Sequence, residues 1–280
     1  MSLFSLEIQK TFLRLRTYIG FAAIFIAVVL LEVIFKISHD SMVRTIAGVA
    51  TEDFIMSGNI LNVWTITAFI MNSLYIHVPF LIALVAGDMV SSEATGGTIR
   101  FLLIRPPSRS KIIFYKYLTM LFYTAVLLIF MSALCIGLGL VLFGNGDAIR
   151  IQTEIPHIVI LPAHIAASRT LLAFLAAILS MSVVGSLAFL LSTIAENSVG
   201  PIIGSMAVMI VFLIVGNLPF DTLAALRPYL FTTYMNIWQL FLNEPIYWNR
   251  IAKDAGALLF HDALFFIISY YVFLKKDIKS

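Results

Sequence analysis

Six stretches of this chain are apolar for long enough to cross a lipid bilayer, and nothing else in the sequence constrains the fold as strongly. They cover approximately 19–35, 63–86, 117–143, 171–194, 199–216 and 257–274. A hydrocarbon core of ~30 Å takes ~20 apolar residues in a helix, because lipid offers no partner to an unpaired backbone N–H or C=O. Composition agrees: 61% of residues are hydrophobic, 12% are charged and the mean hydropathy is +1.00, outside the range of soluble domains. The connections are too short for a second domain of ~50 residues. The expected fold is therefore an all-α integral membrane protein, a six-transmembrane-helix bundle forming one domain over 1–280.

Residues 1–18 precede the first span and read as an amphipathic interfacial helix. Phe4, Ile8, Phe12 and Leu15 recur at helical spacing, while Glu7, Lys10 and Arg14 take another face. Such a segment is expected to lie along the cytoplasmic lipid surface. The first apolar run begins near Tyr18 with no small-residue cleavage site after it, so the reading retains it as a span. Orientation follows from basic residues. Eleven of the 18 Lys and Arg fall on one side when the N-terminal segment, 87–116 and the C-terminal tail are grouped. The positive-inside rule makes that side, with both termini, cytoplasmic, and the expected location is the plasma (inner) membrane.

The connections on the other side are longer. In the last of them, 217–256, the run 229–242 is apolar but too short to cross. Thr232, Asn236, Gln239 and Asn243 share one helical face, with Tyr234, Trp238 and Phe241 on others. That pattern reads as an outer amphipathic or partly re-entrant helix. Tyr234, Asn236, Trp238 and Gln239 would line an outer gate or simply cap the bundle, two readings the sequence does not separate. The fourth and fifth spans are joined only by Ala195 to Ser198, a tight turn that makes them an antiparallel hairpin. Gly200 and Gly204 in the fifth span, with Ala133 and Gly137 in the third, allow close helix contact, either within the subunit or in a dimer.

Chemistry is sparse. His39, His77, His157, His164 and His261 are scattered without metal-ligand spacing, Cys135 has no partner, and no phosphate-cradling G-x-x-x-x-G-K-[ST] loop occurs. Ionisable residues in lipid are expensive, which singles out Glu32 and Asp262. Each falls about one turn from the outer end of its apolar run, so interfacial placement is the simpler expectation for both. His77 and Pro79 are expected to mark a kink in the second span, with the histidine hydrogen-bonded beside it.

The insert 87–116 is the one long polar segment between spans. Ser91 or Ser92 suits a helix cap, Gly96 and Gly97 a helix end, Thr98 a second cap, Pro106 a stop, and Ser108 the cap of the third span. A helix-turn-helix shelf under the membrane results, carrying Glu93, then Arg100 and Arg105, with Ile99 and Phe101 to Ile104 as its apolar filling. Five bases also hold such a loop cytoplasmic and against anionic lipid.

The order Asp88, Glu93, Gly97, Thr98, Leu102, Leu103, Pro106, Ser108, Arg109, Lys116 resembles the cytoplasmic coupling loop of the ABC-2 type permeases. The resemblance extends in outline over the whole chain, with the outer connection before span six included. It implies a membrane subunit of an ATP-driven exporter, paired with a second copy or a related permease and with two copies of a cytoplasmic ABC ATPase. ATP and Mg would be bound by the ATPase, with no cofactor in this chain and no catalysis by it. Asp88, Glu93, Gly96, Gly97, Thr98, Arg100, Arg105, Pro106 and Arg109 would form the ATPase-coupling surface. Membrane lipid is the other expected partner, and nucleic acid is not one. Two rivals stand beside this reading: an ATPase-coupled mechanical or anchoring subunit acting on a surface partner, and an ion-coupled secondary transporter. The second lacks the inverted repeat and deep paired charges such transporters show.

Overall fold

The computed structural model describes residues 3–38, 41, 61–95, 108–152 and 157–276. Its described helices, numbered in chain order, are α1 (Leu3–Phe12), α2 (Leu15–Ile37), α3 (Val63–Ser73), α4 (His77–Ala86), α5 (Ser91–Thr95), α6 (Arg109–Phe143), α7 (Ala163–Ile194), α8 (Val199–Asn217), α9 (Asp221–Ala224), α10 (Ile237–Leu240) and α11 (Trp248–Lys275). Between α6 and α7 stands an antiparallel hairpin, β1 (Ala148–Gln152) with β2 (His157–Leu161), in the register Ala148 to Leu161 and Gln152 to His157. Five helices, α2, α6, α7, α8 and α11, are each long and apolar enough to cross a membrane, and α3 with α4 makes a sixth such stretch if the bent pair is one span.

The bend is 59°. Pro79, near the start of α4, has no N–H for the carbonyl of Tyr75 four residues back and its ring crowds that turn, while His77 N and Val78 N both turn to Leu74 O. The ladder skips Ser73, whose carbonyl is taken instead by His77 Nδ1 at 3.2 Å. His77 thus does what the sequence suggested, although its ring is exposed rather than packed.

Helix α7 is the axis of the bundle. Some 78% of its most apolar stretch is buried, against 22% in α2 and in α8. Its small residues explain this: Ala173, Ala177, Ser180, Gly185 and Ala188 let α4, α6 and α11 approach closely, with Phe174 and Phe189 filling what remains. The outer helices turn Phe25, Ile26, Ile203, Ile210, Phe260 and Ile267 outward. Contiguous apolar surface of this kind requires lipid around it.

Several sequence-based boundaries need correction. Helix α6 starts at Arg109, directly after the cap position read from sequence, but α7 at Ala163 and α11 at Trp248 begin within residues assigned to connections. Polar turns extend a helix past the bilayer without leaving a mark in hydropathy. At 35 residues α6 is about 52 Å long, well beyond a ~30 Å core. The α6 helix stops at Gly144, whose φ of 73° lies in the left-handed region that only glycine enters freely. Ser108 occupies the N-cap position of α6 but makes no capping bond, and the hydroxyls of Ser91 and Ser92 donate back to the carbonyls of Gly87 and Asp88. The hairpin was not anticipated. Its alternating Ile149, Ile151 and Ile158, Ile160 lie within a connection read only for its charge.

The expected outer helix over 229–242 is not a helix. It is two 3-10 turns, Arg227–Tyr229 and Phe231–Thr233, followed by the four-residue α10. Tyr234 Oη donates to Pro228 O, Thr233 Oγ1 to Arg227 O, and Arg227 to Leu218 O, side-chain bonds that compete with a helical ladder. Nor does the segment rest at a surface. Tyr234 and Trp238 are buried, Ser180 Oγ of α7 donates to Met235 O, and Gln239 Nε2 donates to Asn72 at the α3–α4 bend. Of the four residues read as a gate, Asn236 alone is exposed. The re-entrant option fits this placement better than a lid. Gly204 packs on Leu191 of α7, whereas Gly200, Ala133 and Gly137 face outward.

Asn62 caps α3, accepting from the backbone of Trp64 and Thr65 and donating to Asp147 O at 2.7 Å. Asn62→Ala removes the cap and the tie to the hairpin together, an expected loss of about 1–2 kcal/mol in thermal unfolding. Asn62→Asp keeps only the cap and should fall between. Equal midpoints for Asn62→Ala and wild type would contradict this account.

Candidate functional site

At the end of the bundle that carries α1, the charged residues of three helices are folded in on one another. Lys116, in the third turn of α6 and 3% exposed, donates to Glu7 Oε2 of α1 at 2.9 Å and to Glu93 Oε1 of α5 at 2.7 Å. Glu93, 2% exposed, also pairs with Lys10 of α1. One turn away, Arg14 reaches Asp88 at 3.0 Å and Ser92 at 2.9 Å, and Arg16 reaches the other oxygen of Asp88 at 2.9 Å. Three carboxylates therefore meet four cations, all from 7–16, 88–93 and Lys116.

Local structure explains the convergence. Helix α1 ends at Phe12 and α2 begins at Leu15, and Thr17 Oγ1 donates to Thr11 O across the corner. That corner turns Glu7 and Thr11 inward, against the expectation that the polar face of α1 meets water. Phe4 and Phe12 pack beside them on Tyr115, Phe122 and Tyr123. On the far side Ser192 Oγ of α7 accepts from the backbone N–H groups of Val90 and Ser91, so α5 is held from below and above.

A second set of bases closes the same end. Arg109 donates to the terminal carbonyls of α11 at Leu274 and Lys276, and Lys276 Nζ to those of α7 at Thr193, Ile194 and Ala195. Cations at helix C-termini satisfy orphan carbonyls and oppose the dipole.

Of the coupling residues read from sequence, the structure therefore brings Glu93 together with α1 and Asp88 with the start of α2, and commits Arg109 to α11. None of the three is a free surface charge. Gly96, Gly97, Thr98, Arg100, Arg105 and Pro106 lie outside the described residues. Sequence reasoning missed Glu7, Lys10, Arg14 and Arg16 as partners of the loop. The signal present was one of sign alone: three bases, Lys10, Arg14 and Arg16, in the N-terminal segment and two acids, Asp88 and Glu93, at the start of the loop.

The carboxylates of Glu32 and Asp262 are both buried among the helices rather than turned to water. Glu32 is fully buried, with no hydrogen bond to either carboxylate oxygen among the described residues. Asp262 lies mid-way along α11, because that helix begins nine residues earlier than its apolar run; Ser182 and Ser186 of α7 bond to its carboxyl group.

Apolar helices that face lipid, charges gathered at the ends and an axis of small residues define a multi-pass helical membrane protein. The chain belongs to the family described as "Protein of unknown function (DUF2705)", whose model matches residues 21–279. Two curated relatives come from Bacillus subtilis (strain 168). "Uncharacterized protein YhcI" is 25% identical over 207 residues, 70% of this chain and 63% of the relative, so the chain spans under two thirds of that protein's length. "Uncharacterized membrane protein YdbK" is 26% identical over 223 residues, 74% of this chain and 80% of the relative.

Proposed function

We propose that this chain is the transmembrane permease subunit of an ATP-driven ABC-2 type exporter, with α3 and α4 together forming the second of six spans. Both termini and 87–116 face the cytoplasm of the plasma membrane in this reading. Two copies of a separate ABC ATPase bind ATP and Mg, and a second permease completes the path. The observation that carries the reading is the buried ion network. Its members stand at both roots of the segment 96–107: Asp88 and Glu93 before it, Lys116 after it, with Glu93 and Lys116 bound to α1 and Asp88 to Arg14 and Arg16 at the start of α2. A force applied to that segment would reach α1, α4 and α6 as one body, since separating buried ion pairs is expensive. Asp88 and Glu93 act here as positioning residues, and the contact with the ATPase falls to Arg100, Arg105 and their neighbours.

Photo-crosslinking residues at positions 100 and 105 test this in native membranes. The expected product is an adduct with an ATP-binding subunit, and the purified complex should hydrolyse ATP. A complex free of any ATP-binding subunit, with adducts only to lipid, would mean the reading is wrong.

A further inference from the structure

Four close oxygen contacts surround Asp262. Ser182 Oγ lies 2.7 Å from Leu179 O and 2.6 Å from Asp262 Oδ2; Ser186 Oγ lies 2.5 Å from Asp262 Oδ1 and 2.9 Å from Tyr117 Oη. All four distances are those of single O–H···O bonds, and each such bond requires its own hydrogen. The hydroxyls of Ser182, Ser186 and Tyr117 supply three. Tyr117 donates to Ser186, and Ser186 to Asp262 Oδ1. Ser182 then has one hydrogen for two acceptors, Leu179 O and Asp262 Oδ2, and whichever it serves, the other contact is left with two lone pairs facing at under 2.8 Å.

We propose that Asp262 is an intramembrane proton-binding site whose carboxyl group carries the fourth hydrogen. Oδ2–H donates to Ser182, Ser182 to Leu179 O, Tyr117 to Ser186, and Ser186 to Oδ1. All four close contacts are then filled, the longer approach of Tyr117 Oη to Asp262 O at 3.4 Å sharing the tyrosine hydrogen, and the chain of bonds joins α6, α7 and α11.

The surroundings agree. Asp262 is about 20 Å from either end of α11, at the depth where an ionised carboxylate without a cation is most expensive. No cation bonds to its carboxyl group, and the one neighbour able to carry a positive charge, His261, has both ring nitrogens on other oxygens. Helix α6 presents Tyr117, while the ammonium of its neighbour Lys116 points to Glu7 and Glu93. Helix α7 presents hydroxyls only, and neither the turn Phe231–Thr233 nor α10 holds a titratable side chain. His261, next in sequence, bonds to Ala257 O and Tyr229 O. A metal ion fits the contacts poorly. Oxygens around a hard cation stand about 2.3–2.6 Å from the metal itself, so an ion placed between these oxygens would hold them farther apart than 2.5–2.6 Å.

The experiment is infrared spectroscopy of the whole chain in lipid vesicles at pH 7. The wild type should show a protonated-carboxyl C=O band that shifts in D2O and is missing in Asp262→Asn. Glu32→Gln, measured in parallel, separates any contribution of the other buried acid. Asparagine offers the same pattern, an N–H to Ser182 and a C=O to Ser186, so Asp262→Asn should unfold at the wild-type midpoint and Asp262→Ala below it. Ser182→Ala supplies a second reading: loss of the acceptor moves the band to higher frequency without removing it. A spectrum unchanged by both Asp262→Asn and Ser182→Ala overturns the proposal, as does an asparagine variant that folds but unfolds as early as the alanine one.

Discussion

Lys116→Ala is expected to leave little folded protein in the membrane. Its ammonium is the junction between Glu7 and Glu93, and its removal takes from buried Glu7 its cation and leaves Glu93 with Lys10, which is itself 36% exposed. Breaking a buried pair by deleting one partner costs about 3–5 kcal/mol, a large fraction of the ~5–15 kcal/mol that keeps a typical protein folded. Size-exclusion chromatography of detergent extracts with a thermal ramp would show this as aggregation and a lowered midpoint. Lys116→Arg keeps the charge and should retain most of the folded fraction. The informative variant is Lys116→Met with Glu7→Gln and Glu93→Gln, which removes both orphaned charges and should recover much of the loss. A triple variant no better than Lys116→Ala would show that charge compensation is not what holds α1 to α6.

Gly87→Ala is expected to destabilise, and Gly137→Ala, the same chemical change, to have no effect or to stabilise. A β-carbon on Gly87 would meet Ala83 O at 2.8 Å and Ile202 N at 3.2 Å, both backbone atoms that no rotamer change relieves. Helix α8 would have to move away from α4, and overpacking of this kind costs about 1–3 kcal/mol. Gly137 has open space around its missing β-carbon, so alanine there gains only the helix preference of about 0.5–1 kcal/mol. Thermal midpoints of the two variants should therefore move apart. If Gly87→Ala matched wild type, the tight α4–α8 contact would not exist in the membrane.

The spans were legible because lipid imposes one rule on every residue that meets it. Length and hydropathy found α2, α8 and the apolar parts of α6, α7 and α11. The polar extensions of α7 and α11 escaped, since no capping residue marks Ala163 or Trp248, whereas the start of α6 was readable from Ser108 at its N-cap. The kink at Pro79 was readable because the missing N–H is local. The ion network was not, because Glu7 and Lys116 are 109 residues apart and nothing local pairs them. The segment 229–242 failed for the opposite reason. Its helical spacing was real, but Thr233 and Tyr234 bond to their own backbone neighbourhood, and Ser180 of α7 supplies a partner that a helix would have excluded.

The depth of α7 in the bundle has a consequence for how the chain is made. Ser182 meets Asp262 across 80 residues, and Ser180 meets Met235 across 55. Synthesis runs from the N-terminus, so α7 leaves the ribosome with α6 already in place beside it and α10 and α11 still unmade. During that interval the hydroxyls of Ser180, Ser182 and Ser186 have only their own helix, Tyr117 and any nearby water as partners, and one side of the most sheltered helix is open to lipid. A nascent chain arrested before residue 262 should therefore be caught with its axis half covered, until α11, made after it, seals it.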